Sequence, residues 1–266
     1  MCNEINIYNQ KIVFIHIEKC GGTGIRNIIL SLYYDENTHD KIVYDDYFNY
    51  LDKQNLDLTY KIINSNKLLL FHQNINDMKI FCNNYLHNIT AIRNPIKRLL
   101  SHYYHMIINK SVCIINGVNH LLFKPYIKLS EQHITFIIDF LNSYGNLIVY
   151  RLGFTHNTIN EIADYNSKLY FENAIQNISQ LNYIFLLEDL DNELKDYKQK
   201  YNIINTECFI DINCNKNVNV LYNKNLEYEF EFILNVINEN KIINYDILFY
   251  NHICNIKNKQ QYSIIL

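Results

Sequence analysis

The pattern of hydrophobic positions begins with a short apolar run that gives way to a helical periodicity. Residues 12–17 read IVFIHI, a nearly continuous stretch of β-branched and aromatic side chains that is typical of a strand buried on both faces. The sequence EKCGG follows, and Thr23 then stands as a candidate N-cap before apolar side chains at helical spacing, namely Ile25, Ile28, Ile29 and Leu32. The pattern therefore predicts a strand, a glycine-rich loop and a helix in direct succession.

The same alternation of strand and helix patterns continues along the chain. Further strands are predicted at 67–72, 88–93 and 182–189, and helices at 74–84, 95–109, 131–143, 167–180 and 190–203, with one or two more between 225 and 258. The segment 205–223 is polar and aperiodic and is predicted to be a loop. Neither a repeat nor a linker-like stretch divides the sequence. We expect an α/β fold, a single domain over residues 1–266 with a central parallel sheet flanked by helices.

Composition narrows the functional classes. The formal net charge is −3, which argues against a general nucleic-acid binder with a basic face. No apolar run approaches the roughly 18 residues that a membrane span needs, and the first residues lack the apolar core of a signal peptide. Seven cysteines, without a CxxC pair or a Cys/His metal spacing, predict free thiols in a reducing compartment and no bound metal. We expect a cytoplasmic protein with no membrane span and no nucleic-acid partner.

Glycine is scarce and unevenly distributed. At an average usage of about 7% the chain would hold roughly 19 glycines, yet it holds six, and three of them are Gly21, Gly22 and Gly24. Glycines between a buried strand and a helix N-terminus favour an anion, because of the outward N–H groups, the helix dipole and the missing β-carbons. Lys19 adds a point charge. An ordinary tight connection is the alternative, and the loop is not a Walker A motif because its Lys precedes the glycines.

Two motifs give the chain a resemblance to a known family. The sequence FIHIEKCGGTG (14–24) resembles the 5′-phosphosulfate loop of sulfotransferases, commonly FIHIPKTGGTS. The sequence ITAIRNPIKRLLSHYY (89–104) resembles their 3′-phosphate motif, typically IRDPxxRxxSxY. Weaker likenesses lie at 68–77, 182–197 and 244–250. The chain is most similar to carbohydrate sulfotransferases of the heparan 2-O/uronyl type.

The resemblance implies a P-loop-like strand-loop-helix site for the donor 3′-phosphoadenosine 5′-phosphosulfate. Its sulfuryl group would pass to an acceptor hydroxyl, on a carbohydrate, by in-line displacement without a metal. Arg93 and Ser101 would hold the 3′-phosphate, and His72, at the end of the second predicted strand, would be the general base. Lys19 would also neutralise the leaving phosphate. The residues expected to bind the 5′-phosphosulfate are Lys19, Cys20, Gly21, Gly22, Thr23 and Gly24.

Four positions depart from the motifs of the family. Glu18 stands in place of the usual Pro, Cys20 of Thr, Gly24 of Ser or Thr, and Asn94 of Asp. We expect Glu18 to point away from the pocket, since side chains alternate along an extended chain and Lys19 points in. The missing hydroxyls keep open an alternative, a degenerate, non-catalytic nucleotide- or glycan-binding protein. A nucleotide kinase would need a Ser or Thr after a P-loop Lys and an acidic metal ligand, and neither is visible.

Other polar residues are predicted to have structural roles. His16 is expected to pack inside the first strand, and His102 and His105 to be surface or packing residues. Glu188 and Asp189 stand at a strand-to-helix junction and are interpreted as caps of the following helix rather than as a catalytic pair. A late polar loop either covers the nucleotide, as the resemblance implies, or is an unremarkable surface loop; its candidate residues are Lys216, Asn217 and Asn219.

Overall fold

The described part of the chain is organised around a parallel sheet of five strands. The computed structural model describes residues 11–33, 42–43, 68–71, 86–109, 112–115, 118–121, 130–153, 168–203, 227–240 and 242–258. The strands of the sheet are β1 (Lys11–Ile15), β2 (Ile42–Val43), β3 (Leu68–Phe71), β4 (Leu86–Ile92) and β7 (Tyr183–Leu186), in the spatial order β2-β3-β1-β4-β7. Two further strands, β5 (Val112–Ile115) and β6 (Val118–Leu121), form a separate antiparallel pair.

Helices follow β1, β4 and β7 in the described part of the chain. The α-helices are α1 (Gly22–Tyr33), α2 (Pro95–Asn109), α3 (Glu131–Tyr144), α4 (Leu147–Gly153), α5 (Lys168–Asn177), α6 (Leu190–Lys200), α7 (Glu227–Asn240) and α8 (Asn244–Ile256). Short 3-10 helices at Ile178–Gln180 and Leu187–Asp189 flank β7. Within the described ranges, no helix is long and apolar enough to cross a membrane.

Strand β1 lies in the middle of the sheet and is buried on both faces, as its apolar run predicts. Its last residue, Ile15, pairs with Phe71 of β3 on one side and with Thr90 of β4 on the other. The Thr90 hydroxyl also donates to the Ile15 carbonyl oxygen across 2.8 Å. Because the strands are parallel, the loops that follow β1 and β4 lie next to each other at one edge of the sheet, where open α/β sheets bind their ligands.

Two groups of buried hydrophobic side chains hold the helices in place. The first surrounds the sheet and includes the buried face of α1, where Ile25, Ile29 and Leu32 are nearly inaccessible to solvent. The second joins α2, α3 and α7 and is rich in aromatic rings, such as those of Tyr103 and Phe140, whose centroids lie 5.5 Å apart. Since α2 packs into the second group, the start of α2 after β4 is fixed as well.

The α/β prediction is confirmed, and most of the predicted elements are found within a few residues. The helix predicted at 95–109 coincides with α2, and the region 225–258 contains two helices, α7 and α8. The strand predicted at 182–189 ends at Leu186, where the chain turns into a 3-10 helix. The single-domain prediction stays a prediction.

Helix α4 and the β5–β6 pair have no counterpart in the predicted pattern. The sequence of α4, LIVYRLG, is only seven residues long and has no polar face, so it shows no helical periodicity. The helix predicted at 74–84 and the loop predicted at 205–223, with its candidate residues Lys216, Asn217 and Asn219, lie outside the described residues.

Candidate functional site

The chain reverses direction after β1 through a tight turn at residues 17–20. The N–H group of Cys20 donates to the carbonyl oxygen of Ile17, with an N···O distance of 3.2 Å. Lys19, the third residue of the turn, has a φ of 65°, in the left-handed region that residues with side chains rarely adopt. Positive φ at the third of four residues is the pattern of a type II turn. This conformation sets the direction in which the Lys19 side chain leaves the backbone.

Two of the three clustered glycines are required by the geometry of the junction between β1 and α1, which we call the β1–α1 junction (residues 16–24). Gly21 has a φ of 75°, and a β-carbon there would lie 2.5 Å from Cδ1 of Leu187. A β-carbon at Gly22 would overlap the imidazole of His16. Gly24 differs, because a β-carbon at that position would meet no atom within 4 Å. The backbone at 21 and 22 is therefore closely packed, whereas the space beside Gly24 is open.

The N-terminus of α1 offers backbone donors next to this open space. The first backbone bond of the helix runs from the N–H of Ile25 to the carbonyl oxygen of Gly21, 3.0 Å. N–H groups before that bond have no partner inside a helix, and the helix dipole adds partial positive charge to them. The first turn of α1 contains no acidic side chain. The residues present therefore fit an anionic group such as a phosphate or a sulfate. The side chain of Thr23 lies outside the described residues.

Glu18 and Lys19 place opposite charges at the turn. The Glu18 carboxylate forms a two-point ion pair with Arg151 of α4, in which Nε donates to Oε2 across 3.2 Å and Nη2 donates to Oε1. Both side chains of the pair are about three-quarters buried, with exposures of 24% for Glu18 and 22% for Arg151. Burial lowers the pKa of Lys19, and the neighbouring Glu18 carboxylate opposes that shift. An arginine thus compensates the acidic residue that departs from the family's motif.

Cys20 connects the β1–α1 junction with the start of α2. Its side chain is completely buried, and its sulfur accepts a hydrogen bond from the backbone N–H of Arg93. Burial raises the pKa of the thiol to about 12, so the thiol is neutral at physiological pH. The amide of Cys20 is bonded to Ile17 and its side chain faces the interior, so Cys20 supports the loop from within.

The second junction, between β4 and α2 (residues 93–98, the β4–α2 junction), is held by side chains. Asn94 caps α2, since its Oδ1 accepts a hydrogen bond from the N–H of Lys97 at 3.2 Å. The N–H of Asn94 itself donates to Oε1 of Glu188 across 3.0 Å. The other oxygen of that carboxylate accepts from the Tyr250 hydroxyl, also at 3.0 Å. Asn94 therefore performs the capping role that suits an Asp at this position.

The observed contacts of Glu188 differ from the predicted ones. Glu188 lies in the 3-10 helix after β7 and anchors the β4–α2 junction to α8, instead of capping α6. Asp189 occupies the N-cap position of α6 but makes no capping hydrogen bond there. The pattern of charges at 188–189 is the same for a cap and for a cross-link, which is why the sequence alone did not distinguish them.

The predicted 3′-phosphate residues lie at the start of α2. Arg93 directly follows the last residue of β4, Ser101 lies in the second turn of α2, and both are partly exposed. Sheet register brings the β4–α2 junction beside the β1–α1 junction, and the contact of Cys20 with Arg93 joins the two. His72 lies outside the described residues; the residue before it, Phe71, ends β3 and pairs with Ile15.

A buried ion pair between α2 and α8 supports the β4–α2 junction. Arg98 of α2 donates through Nη2 to the carbonyl oxygens of Tyr144 and Gly145 at the end of α3. Its Nε lies 3.9 Å from Oδ2 of Asp246, and both side chains are completely buried. The Asp246 carboxylate accepts from the N–H groups of Ile148 and Val149, which start α4. Burial raises the pKa of Asp246 to about 6, against the opposing influence of Arg98, so it is an anion at neutral pH.

Two histidines border the site in a way that the sequence did not reveal. His16 follows the end of β1 rather than lying inside the strand; its ring stacks on Phe14 and lies against Gly22. His102 packs against the rings of Phe140 and Tyr144, with centroid distances of 5.5 and 4.6 Å. Burial and then the Arg98 charge lower the pKa of His102 to about 3; Glu18 and Lys19 also act on it, in opposite directions. The face of α2 that carries His102 is thus within electrostatic reach of the loop.

Arg151, Glu188, Asp246 and Tyr250 are the supporting residues that the sequence analysis did not assign to the site. One feature of the sequence could have drawn attention to Arg151: it is one of only four arginines in the chain. In the described ranges, no group of three or more His, Cys, Asp or Glu side chains is arranged to hold a metal ion.

The fold and the two junctions define an α/β protein whose parallel sheet carries, at one edge, a helix N-terminus and basic side chains suited to an anion. A family model described as the sulfotransferase family matches residues 7–265. The chain therefore belongs to the sulfotransferase family, whose members transfer a sulfuryl group to an acceptor. A comparison with curated proteins finds no significant match.

Proposed function

We propose that the protein transfers the sulfuryl group of 3′-phosphoadenosine 5′-phosphosulfate to a hydroxyl group of a carbohydrate. Membership of the family supports sulfuryl transfer in general. The observation that carries the choice of donor is the adjacency of two junctions, joined through Cys20 and Arg93, each of which offers groups suited to one anionic end of that donor. A donor with both a 5′-phosphosulfate and a 3′-phosphate matches such a pair of sites better than a single phosphate does.

In this proposal the β1–α1 junction binds the 5′-phosphosulfate through the backbone donors of Gly21, Gly22, Thr23 and Gly24. Lys19 is the mobile cation of the loop. Arg93 and Ser101 bind the 3′-phosphate, which distinguishes this donor from nucleotides with a free 3′-hydroxyl. The open space at Gly24 supports the first assignment, because an anion needs room to approach the helix N-terminus.

The chemistry is an in-line displacement at sulfur. The acceptor oxygen forms a new bond to sulfur while the bond from sulfur to the 5′-phosphate oxygen breaks, which leaves 3′-phosphoadenosine 5′-phosphate. His72 takes the proton of the acceptor hydroxyl as general base. Lys19 and the N–H groups of the loop neutralise the charge that the departing phosphate gains. Holding donor and acceptor in line supplies much of the remaining rate enhancement.

A non-catalytic nucleotide- or glycan-binding protein is the second candidate. It is favoured by Cys20 and Gly24, which stand where the family's motif has hydroxyl groups. Cys20 is buried and Gly24 has no side chain, so neither supplies a hydroxyl to the sulfuryl oxygens. The acceptor class and the cytoplasmic location stay predictions.

Isothermal titration calorimetry with 3′-phosphoadenosine 5′-phosphate tests the donor assignment. We expect the wild type to bind this nucleotide roughly tenfold or more tightly than adenosine 5′-phosphate. The reason is that the contacts of Arg93 and Ser101 with the 3′-phosphate should together contribute more than about 1.4 kcal/mol. Lys19→Met and Arg93→Met should each weaken binding, and Arg93→Met should also remove the preference for the 3′-phosphate. Lys195→Met, at an exposed position of α6, is the matched control and should bind normally.

Transfer is then measured with labelled donor and a panel of glycans. Sulfation of one glycan that is lost in His72→Ala, with nucleotide binding retained, would establish the proposed reaction. Binding without transfer to any acceptor would establish the second candidate instead. Equal affinity of the wild type for both nucleotides would contradict the donor assignment.

A further inference from the structure

The turn at residues 17–20 holds Lys19 in a conformation that needs outside support. A lysine at a φ of 65° is less stable than a glycine there, because its β-carbon crowds the following carbonyl group. Such conformations persist where the surrounding structure determines them. The hydrogen bond from Cys20 to Ile17 closes the turn but leaves the backbone between them to be fixed by something else.

Glu18 occupies the second position of this turn. In type II turns that position favours proline, whose ring sets φ in advance. Glu18 has no such ring, yet its side chain is bonded at both carboxylate oxygens to one guanidinium group, that of Arg151. A two-point contact restrains the orientation of both side chains more than a single contact does.

Arg151 is attached to a firmly held helix. The N-terminus of α4 is bound by Asp246 through the N–H groups of Ile148 and Val149, at 3.1 and 2.9 Å. The C-terminal end is bound by Asn177, whose Nδ2 donates to the Leu152 carbonyl oxygen across 2.7 Å. Arg151 therefore holds Glu18 from a support that is fixed at both ends.

We propose that Glu18 and Arg151 are positioning residues that clamp the turn and thereby aim Lys19 at the phosphosulfate group of the donor. The clamp replaces with an ion pair the restraint that a proline at the second position of the turn provides. It rests on the proposed function, because Lys19 has a ligand to be aimed at only if the loop binds that donor. The pairing also compensates the negative charge of Glu18, which would otherwise repel the donor.

The test compares Glu18→Ala, Arg151→Met and Glu18→Pro, each alone and combined with Lys19→Met. In the wild type, Lys19→Met should weaken binding of 3′-phosphoadenosine 5′-phosphate. In the Glu18→Ala and Arg151→Met backgrounds, the loss of affinity caused by Lys19→Met should be severalfold smaller, because Lys19 no longer points at the phosphosulfate site. In Glu18→Pro it should be close to the wild-type effect, and adding Arg151→Met to Glu18→Pro should change little.

Kinetics provide a second measurement. Misplacing a group by about 1 Å costs up to roughly a hundredfold in rate, so Glu18→Ala and Arg151→Met should lower kcat more than they raise KM for the donor. A purely structural role would not be rescued by proline. The matched control is the exposed ion pair of α5, where Lys168 and Glu172 lie 3.4 Å apart; Lys168→Met and Glu172→Ala should leave both parameters unchanged.

The outcomes separate the clamp from the proposed function. If the wild type does not prefer the nucleotide with a 3′-phosphate, the proposed function fails and the clamp fails with it. If the wild type binds as expected and Lys19→Met has the same effect in every background, the clamp alone is wrong. A Glu18→Pro variant as impaired as Glu18→Ala, while folded by its thermal unfolding curve, would overturn it too.

Discussion

The two junctions at the edge of the sheet present their donors in different ways. At the β1–α1 junction the backbone does the work: Lys19 and Gly21 adopt positive φ, and Gly22 approaches His16 so closely that no β-carbon fits. At the β4–α2 junction none of residues 93–98 has positive φ, and side chains hold the turn through Asn94 and Glu188.

Each junction is therefore sensitive to substitution at different places. A site formed by backbone groups depends on glycines that have no β-carbon, so the addition of one methyl group at such a glycine damages the site. A side-chain site depends on partners far away in the sequence, so its weak points lie on other elements, here the 3-10 helix after β7 and helix α8.

The most damaging substitution is expected at Gly22. Gly22→Ala forces its β-carbon into the His16 ring, so either the ring or the loop must move. Affinity for 3′-phosphoadenosine 5′-phosphate should fall by roughly tenfold or more, since hydrogen bonds to a charged group are worth about 1.5–3 kcal/mol. Gly24→Ala is the matched control, because its β-carbon meets nothing, and its affinity should be unchanged. Equal affinities of the two variants by calorimetry would show that backbone approach does not matter.

Acid should destabilise the protein through two histidines with lowered pKa values, His87 in β4 and His102 in α2. The pKa of His102 is lowered from 6.5 to about 3 and that of His87 to about 4, in both cases mainly by burial. At these two histidines the unfolded chain binds protons below pH 6.5 that the folded protein excludes, so they lower the free energy of unfolding as the pH drops from 6.5 toward 4. Asp246, whose pKa is raised to about 6, contributes a slope of the opposite sign below pH 6 and offsets one of the two histidines. Each excluded proton contributes a slope of up to about 1.4 kcal/mol per pH unit.

Urea titrations across this pH range measure the slope. His102→Phe keeps an aromatic ring against Phe140 and Tyr144. It should remove the contribution of one proton to the slope and leave the opposing contributions of His87 and Asp246. His105→Gln, at an exposed position of the same helix, removes only the smallest of the influences on the pKa of His102 and should change the slope much less. An unchanged slope in His102→Phe would mean that His102 is not buried as a neutral group.

The second junction should respond to a distant substitution. Glu188→Ala leaves the N–H of Asn94 and the hydroxyl of Tyr250 without their acceptor, which costs about 1–3 kcal/mol of stability. The preference for the 3′-phosphate should fall with it, whereas affinity for adenosine 5′-phosphate should not. Tyr250→Phe removes one of the two bonds and should have the smaller effect. If Glu188→Ala lowered both affinities equally, the two junctions would not be independent.

The smallest effect is expected where a hydroxyl is added. Gly24→Ser places an oxygen in the open space beside the helix N-terminus, where it gains a hydrogen bond to the donor's anionic group. Affinity for 3′-phosphoadenosine 5′-phosphate should rise about threefold, within the modest net value of one hydrogen bond. Gly24→Ala is the control, because it adds the β-carbon without the hydroxyl and so separates the effects of the two groups on affinity. Weaker binding by Gly24→Ser would place the anion elsewhere.

Local features of the molecule were predictable from the sequence. Pro95 and the apolar spacing after it predict α2 correctly because the signals lie within the helix itself. The apolar run before the glycines predicts β1 for the same reason. The order of strand, loop and helix at the β1–α1 junction follows from these local signals.

The supports of the site were not predictable, because they join residues that are remote in the chain. Arg151 pairs with Glu18, and Glu188 with the backbone of Asn94, only after the sheet has brought their elements together. The conformation of Lys19 is a further case, since lysine has no preference for positive φ and tertiary contacts must override its local tendency. Helix α4 could not be predicted because a helix of seven residues, mostly buried and with one charged side chain, shows no helical period of apolar positions.

The buried pair of Arg98 and Asp246 has a consequence for the order of events during biosynthesis. Arg98 is made early, next to Arg93 at the start of α2, but its only carboxylate partner among the described residues comes from α8. A buried cation without its partner is strongly destabilising, by about 3–5 kcal/mol. We therefore expect the β4–α2 junction to be less stable in a nascent chain until residue 246 has emerged from the ribosome.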